Sequence, residues 1–322
     1  MTRYIARRVL MMVPLLIGIS FMVFALLNLV PGSPIDQFEF NPNVTPADLA
    51  RIQENLGLNA PWYERYFIWL GNAVQGDLGS SLVSYSPVWY KLQTALPNTL
   101  ILALTSLTMA IVFSIPLGVM SAVKRNSLFD RVVTVFTTAF NSVPSIWLGL
   151  LAVILFSVKF KEWGLPWLPT GGVVDLRGGG GFWDRVEHLL MPATIVALVS
   201  LAGWTRYIRG SMLEVIRQDY VRTAEAKGLR TRVVLMGHAF RNALLPLVTL
   251  VGLTIPDIFG GALIIENVFA YPGMGRLTVL SLQQNDYTVA MACVMMFAVL
   301  TLVGNLLSDV LYGVLDPRVR YD

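Results

Sequence analysis

The sequence predicts an all-α membrane protein with six transmembrane helices, and three observations carry that prediction. Of 322 residues, 55% are apolar and 14% charged, where an ordinary soluble domain carries about 25% charged residues. The apolar residues fall in long uninterrupted blocks, as bilayer-spanning helices require. Lysine and arginine gather between alternate blocks, as a fixed membrane orientation requires.

The first block, Val9 to Val30, is uncharged and follows Arg3, Arg7 and Arg8. Its apolar core is longer than that of a signal peptide, and Pro31-Gly32-Ser33-Pro34 stands where a small-residue cleavage pattern would be. It reads as an uncleaved anchor helix. Asn98 to Val123 and Val132 to Val158 are uncharged and long enough to span with tilt. Leu189 to Thr205 is shorter. Asn242 to Ile265 carries one charge, Asp257, and Thr288 to Leu307 carries none. Pro116, Pro144, Pro192, Pro246 and Pro256 lie inside these blocks. They read as packing kinks, because neighbouring helices can satisfy the freed carbonyls.

The charges set the orientation. Arg3, Arg7, Arg8, Lys124, Arg125, Arg131, Arg206, Arg209, Arg217, Arg222, Lys227, Arg230, Arg232, Arg241, Arg318 and Arg320 fall on one side, most of the 24 basic residues. The positive-inside rule then puts both termini in the cytoplasm. It also removes the nucleic-acid reading of the +4 net charge, since these residues are topology signals and lipid-headgroup neighbours.

Three regions follow: 1–30, a cytoplasmic start and first helix; 31–97, an extracytoplasmic helical loop; and 98–322, a five-helix core. In the loop, Thr45 and Pro46 read as the N-cap and first position of a helix reaching Leu56. Trp62 to Val74 is amphipathic, with Glu64 and Arg65 opposite its aromatic face, and Val88 to Leu96 is a third short amphipathic piece. The aromatics Trp62, Tyr63, Tyr66, Phe67, Trp69, Trp89 and Tyr90 suit either a cap on the bilayer surface or a docking surface for an external protein. The second outside loop, Lys159 to His188, holds Gly178 to Gly181, a linker without the lysine and hydroxyl of a phosphate loop. No Gly-Lys dipeptide occurs in the chain, so a P-loop ATPase is excluded. In the third outside segment, Glu266 to Tyr287, the turn Tyr271-Pro272-Gly273-Met274-Gly275 is apolar and is expected to dip back into protein at the outer mouth.

Between the fourth and fifth blocks lies a basic helical elbow at about 211–241. Ser211 to Lys227 reads as one amphipathic helix with Met212, Val215, Ile216, Tyr220 and Ala224 as its stripe. Gly228 ends it, and Arg230 to Arg241 forms a second short helix. Such an elbow suits a soluble partner that pushes on it, or an interfacial loop with no partner.

No covalent chemistry is legible. Cys293 stands alone in an apolar block beside Met291, Met295 and Met296, which read as packing residues. No metal site is expected, and His188 and His238 are far apart. Asp257, the one charge well inside a span, must face the bundle or water; it could meet a peptide amino group or pair with a neighbouring helix. Glu266, Asn141 and Thr254 complete the candidate pathway set, with Ser142 and Asn305 as further polar span residues suited to interhelical hydrogen bonds. A secondary transporter would show several intramembrane carboxylates and an inverted repeat, and a membrane enzyme would show a catalytic cluster; neither is present.

The elbow resembles the coupling loop of binding-protein-dependent ABC importer permeases. Against the general pattern Glu-Ala-Ala-x3-Gly-x9-Ile-x-Leu-Pro, Ala224 and Gly228 match, while Arg222 and Thr223 replace the Glu-Ala start and His238, Phe240 and Arg241 replace the end. Asp219 to Leu229 and His238 to Pro246 are similar nearly throughout to the peptide-permease branch. So are Arg7-Arg8, Val30 to Pro34, Leu56-Gly57-Leu58, Gly76 to Ser81, Tyr271 to Gly275 and Asp309 to Arg318. The whole chain thus resembles the B-type subunit of dipeptide and oligopeptide permeases.

That resemblance implies the type I ABC importer permease fold and a heterodimeric pore made with a C-type permease subunit. It implies two cytoplasmic ATPase subunits that bind ATP and magnesium, and an extracytoplasmic substrate-binding protein. The chain itself would bind no cofactor. Asp219, Tyr220, Arg222, Ala224, Glu225, Lys227, Gly228, His238 and Arg241 would form the ATPase-coupling surface. The cargo would be dipeptides or oligopeptides, or another family cargo such as a nickel chelate, glutathione or an oligosaccharide.

Overall fold

The computed structural model describes residues 2–29, 59–175, 180–228 and 240–315, with isolated positions 45, 47, 51, 53, 54 and 233. Its regular structure among these residues is helical, apart from one bridge between Ser80 and Pro87. The helices are α1 (Thr2–Leu29), α2 (Trp62–Val74), α3 (Val88–Val123), α4 (Leu128–Ser142), α5 (Ser145–Ala152), α6 (Phe182–Val215), α7 (Asp219–Ala226), α8 (Phe240–Val268), α9 (Met274–Gln283) and α10 (Tyr287–Leu315). After α5 the chain continues as a π-helical stretch, Val153–Lys159, and a last short turn, Phe160–Glu162.

Within the described residues, α1, α3, α6 and α10 are each long and apolar enough to cross a bilayer, and α4 with α5 and its continuation makes a fifth, bent candidate. The fifth block, Asn242 to Ile265, corresponds to α8, 29 residues of continuous helix. The block Val132 to Val158 is therefore not one straight span: it bends by 105° at Val143-Pro144. Pro144 cannot donate a backbone hydrogen bond, and its ring pushes Val143 out of the helical region, to φ −95° and ψ 129°. Pro14, Pro97, Pro116 and Pro192, by contrast, sit inside continuous helices.

Other boundaries move too. Val88 to Leu96 is the first part of α3, not a separate piece. The 17 residues expected to span from Leu189 are the middle of the 34-residue α6, about 51 Å long at 1.5 Å per residue. The second loop accordingly ends at Gly181 rather than His188. The expected helix at Thr45 to Leu56, and most of Arg230 to Arg241, lie outside the described residues.

α6 is the spine. Gly118 of α3 lets Ile208 of α6 approach so closely that a Cβ there would stand 2.7 Å from the Ile208 Cβ. One core cluster joins Leu102, Ile195, Phe259 and Ile265 in mid-bundle. A second joins Ala122, Trp204, Ile208, Met212 and Val221 at the end carrying α7, the elbow end. A third joins Val88, Leu92, Met274, Val289 and Cys293 at the opposite end, where α8 turns into α9, the turn end. Arg8 of α1 pairs with Asp309 of α10 at 3.1 Å.

Candidate coupling and pathway sites

The elbow is built differently from its sequence pattern. The expected single helix Ser211 to Lys227 is broken: α6 runs on to Val215, the chain turns at 216–218, and α7 starts at Asp219. The turn rotates the apolar stripe. Val221 is fully buried against the α6 residues Ile208 and Met212. Tyr220, expected on the buried stripe, is 43% exposed. Asp219, Thr223, Ala226, Lys227 and Gly228 are exposed as well. Positions 220, 223 and 227 follow the helical i, i+3, i+7 spacing and so share one outward face. Gly228 takes φ +76°, which supports its reading as a helix end. Arg222, Ala224 and Glu225 lie on the α7 backbone, but their side chains are outside the described set, as are those of Arg241 and Asp257 on α8; His238 is outside the described residues.

Beside the elbow sits a polar node that sequence reading missed. Asp130, at the start of α4, is 3% exposed. Arg209 of α6 grips it with two donors, Nε to Oδ1 at 2.6 Å and a terminal guanidinium nitrogen to Oδ2 at 2.8 Å. Ser121 of α3 donates its hydroxyl to Oδ1, and the Asn126 backbone N–H donates to Oδ2 at 2.9 Å. One carboxylate thus ties the end of α3, the start of α4 and the lower part of α6. Both oxygens are satisfied, and a bidentate arginine adds directional strength. The sequence signal was available: Ser127-x-x-Asp130 opens an apolar run, and Ser127 caps α4 by accepting from the Asp130 N–H.

The turn end is closed by a second carboxylate. Glu266, one of the candidate pathway residues, is fully buried. Its Oε1 accepts from Thr99 at 2.6 Å, and its Oε2 accepts from the backbone N–H of Gly275 at 2.7 Å and of Arg276 at 3.2 Å. The carboxylate therefore sits on the first turn of α9, where unsatisfied N–H groups and the helix dipole favour negative charge. The motif glycines follow from this. A Cβ on Gly273 would overlap the Glu266 carboxylate, and one on Gly275 would overlap the Leu263 backbone. Tyr271 is buried, and burial pushes its phenol up to about 12, so it stays neutral. Pro272 is exposed, and its carbonyl accepts from Asn98 at 2.8 Å.

Nearby, Asp286 is 1% exposed and accepts from Ser81 and from the Leu82 N–H, with Lys91 3.7 Å away. This bonding pins the Gly76 to Ser81 segment onto the α9–α10 junction. Neither Asp286 nor Thr99 was singled out from sequence; each is a short polar residue with no spacing that announces a partner far along the chain.

Between α5, α6 and α8 lies a cavity of about 300 Å³. Among the described residues, Ser145, Ser200, Gly203, Trp204, Thr254 and Gly261 line it together with apolar side chains. Thr254 is thus placed on a concave surface, while its hydroxyl donates to the Leu250 carbonyl at 2.7 Å. Asn141 and Ser142 are exposed on α4, outside that cavity, and Ser142 bonds back to the Thr138 carbonyl.

These features meet in a known class. Residues 114–321 match the family described as binding-protein-dependent transport system inner membrane component, and residues 1–103 match its N-terminal partner family. The chain belongs to this family of membrane permease subunits. It is 44% identical, over all of both chains, to the oligopeptide transport system permease protein AppB of Bacillus subtilis (strain 168). It is 37% identical to the di/tripeptide transport system permease protein DppB of Pseudomonas aeruginosa (strain UCBPP-PA14), over 100% of this chain and 99% of that one. The dipeptide transport system permease protein DppB of Escherichia coli (strain K12) is 35% identical at the same coverage. Among solved structures, a chain of the MetNI methionine ABC transporter in an inward-facing conformation matches 71% of this chain and 97% of its own length, with TM-score 0.56 and 17% identity. The fold is that of type I ABC importer permeases.

Proposed function

We propose that the chain is one pore-forming half of an ATP-driven, binding-protein-dependent importer of dipeptides or oligopeptides. The cargo class is supported by whole-length relatives named for peptides in three bacteria. The observation that carries the coupling role is α7, seated on the bundle by buried Val221 while Tyr220, Thr223 and Lys227 face outward. A second permease subunit would complete the pore, two ATPase subunits would bind ATP and magnesium and receive α7, and an extracytoplasmic binding protein would deliver cargo. The Arg-rich elbow end, with both termini, would face the cytoplasm.

The physical path for the push is short. Val221 bears on Ile208 and Met212, which flank Arg209 on α6. Arg209 holds Asp130 at the start of α4. α4 leads to the bend at Pro144, and Ser145 just beyond it lines the cavity. Closure of the ATPase pair would bias this linkage between two packings and so alternate access to the path. Among the described residues the lining is of hydroxyls, glycine and apolar groups, which suits peptides of varied side chains.

Uptake of labelled di- and oligopeptides into proteoliposomes holding this subunit with its neighbouring permease, ATPases and binding protein tests the reading. ATP-dependent uptake that is lost in Tyr220→Glu/Thr223→Glu, with the complex still assembled, is the expected result. Uptake without ATP would overturn the ABC mechanism. ATP-driven transport of a nickel chelate, glutathione or oligosaccharide in place of peptide would overturn the cargo.

A further inference from the structure

Hydroxyls inside the long apolar helices commonly turn back on their own backbone. Thr194 on α6 donates to the Leu190 carbonyl at 2.7 Å, Ser106 on α3 to the Leu102 carbonyl at 2.7 Å, and Thr254 on α8 to the Leu250 carbonyl. Two residues of the cavity between α5, α6 and α8 do otherwise. Ser145, at the start of α5, and Ser200, in the apolar part of α6, both line it, and neither makes a hydrogen bond among the described residues. A third polar group joins them. Trp204 is 4% exposed and lines the same cavity; its indole N–H has no partner among the described residues and is not sealed in protein. Ser157 and Thr205 also lack partners, but their hydroxyls are sealed. Ser200 and Trp204 stand four residues apart and so share one face of α6.

Two glycines add width. Gly203 on α6 and Gly261 on α8 line the cavity, and a Cβ on either would meet no described atom within 4 Å. Neither has a positive φ. They differ in this from Gly118 and Gly275, on which neighbours press. A glycine in mid-helix weakens the helix relative to alanine. Neither packing nor backbone conformation demands these two, so what they supply is open volume.

Unbonded hydroxyl and N–H groups are costly against acyl chains and are satisfied by a polar ligand. The three groups here are neutral, and together they donate and accept hydrogen bonds. That matches the amide groups every peptide repeats, whatever its side chains. The volume, about 300 Å³, falls at the small end of ligand sites. We propose that this cavity is a subsite for peptide cargo in transit. Ser145, Ser200 and the Trp204 N–H hydrogen-bond the main chain, while Gly203 and Gly261 set the size of side chain that passes. The inference deepens the peptide-importer reading and rests on it.

The assembled transporter in proteoliposomes, supplied with ATP and binding protein, tests this with trialanine and triphenylalanine. Each variant is compared with the parent, so the binding protein's own preference cancels. Gly261→Leu should lower the ratio of triphenylalanine to trialanine uptake about tenfold, and Gly203→Ala should lower it less. Ser145→Ala/Ser200→Ala should lower uptake of both peptides by one common factor, about tenfold, because they share a main chain. A side chain of the neighbouring permease filling the cavity would leave the ratio unchanged in an assembled Gly261→Leu complex. That result overturns the proposal, as does undiminished uptake in the serine variant. Unsubstituted protein gives a second readout. A tripeptide carrying benzoylphenylalanine, photolysed during ATP-driven uptake, should label residues 196–204 or 254–265, and labelling confined to other segments overturns the proposal. A parent that takes up neither peptide would instead sink the cargo reading on which this one stands.

Discussion

The two ends of the bundle are both held by buried carboxylates, but in different ways. At the turn end, Glu266 and Asp286 bind mainly hydroxyls and backbone N–H groups of segments that lie against them. The Glu266 site is closed further by glycines that leave no room for a side chain. At the elbow end, Asp130 binds a long arginine from another helix, 28% of whose side chain is exposed. Among the described side chains of the α7 segment beside it, one is buried, that of Val221. Short, enclosed hydrogen bonds make the first end stiff. An ion pair whose arginine is partly exposed, and one buried valine among the described α7 side chains, leave the second able to shift. An importer driven from one side needs this asymmetry: a fixed mouth and a movable handle.

The largest expected effect tests the stiff end. Gly275→Leu must displace the Leu263 backbone, and overpacking against main chain should lower stability by about 3 kcal/mol, visible as a reduced Tm of the purified complex. If the Tm is unchanged, the turn is softer than its packing implies.

Next comes the movable end. Asp130→Ala strands Arg209 and should cost about 2 kcal/mol, less than for a fully enclosed pair because part of Arg209 meets solvent. Its sharper signature is functional: peptide uptake should fall while ATP hydrolysis persists, and the swap Asp130→Arg/Arg209→Asp should restore part of the uptake. Equal loss of both activities in an assembled complex would make the pair merely structural. Val221→Ala should cost about 1.5 kcal/mol from lost buried methyl groups and should lower the uptake per ATP hydrolysed in a paired assay.

Two smaller effects sharpen the contrast. Tyr66→Phe removes only the hydroxyl that meets Ser20, and Ser20 still donates to the Ile17 carbonyl at 2.8 Å, so the Tm should drop by no more than the equivalent of about 1 kcal/mol. Thr254→Val removes only a hydroxyl bonded within its own helix, and peptide uptake should stay within about twofold of the parent. A tenfold loss there would make Thr254 a direct cargo contact.

Much of the architecture was legible in the chain because lipid imposes a simple rule: a spanning segment must be apolar and helical. Trp62 to Val74 appears as a helix with those bounds, and Gly228 does take the left-handed conformation expected of a helix end. The errors share a cause. Pro144 and Pro192 look alike in sequence, yet one ends a helix and the other does not, because neighbours can satisfy or abandon a freed carbonyl. Tyr220, expected on the apolar stripe, is exposed and Val221 is buried in its stead, because three residues of turn rotate a helical face.

The sequence by itself determined the solvent: which blocks can face lipid, where basic residues bar the chain from crossing, and which motif glycines mark tight backbone. Those are local properties, set by transfer energies and steric limits residue by residue. Only the tertiary structure decided what the isolated polar residues do. Ser121, Asp130 and Arg209 meet across three helices, and Thr99, Glu266 and Gly275 across 176 positions of chain numbering, from 99 to 275. A buried charge must find partners wherever packing brings them, and packing depends on the whole chain at once.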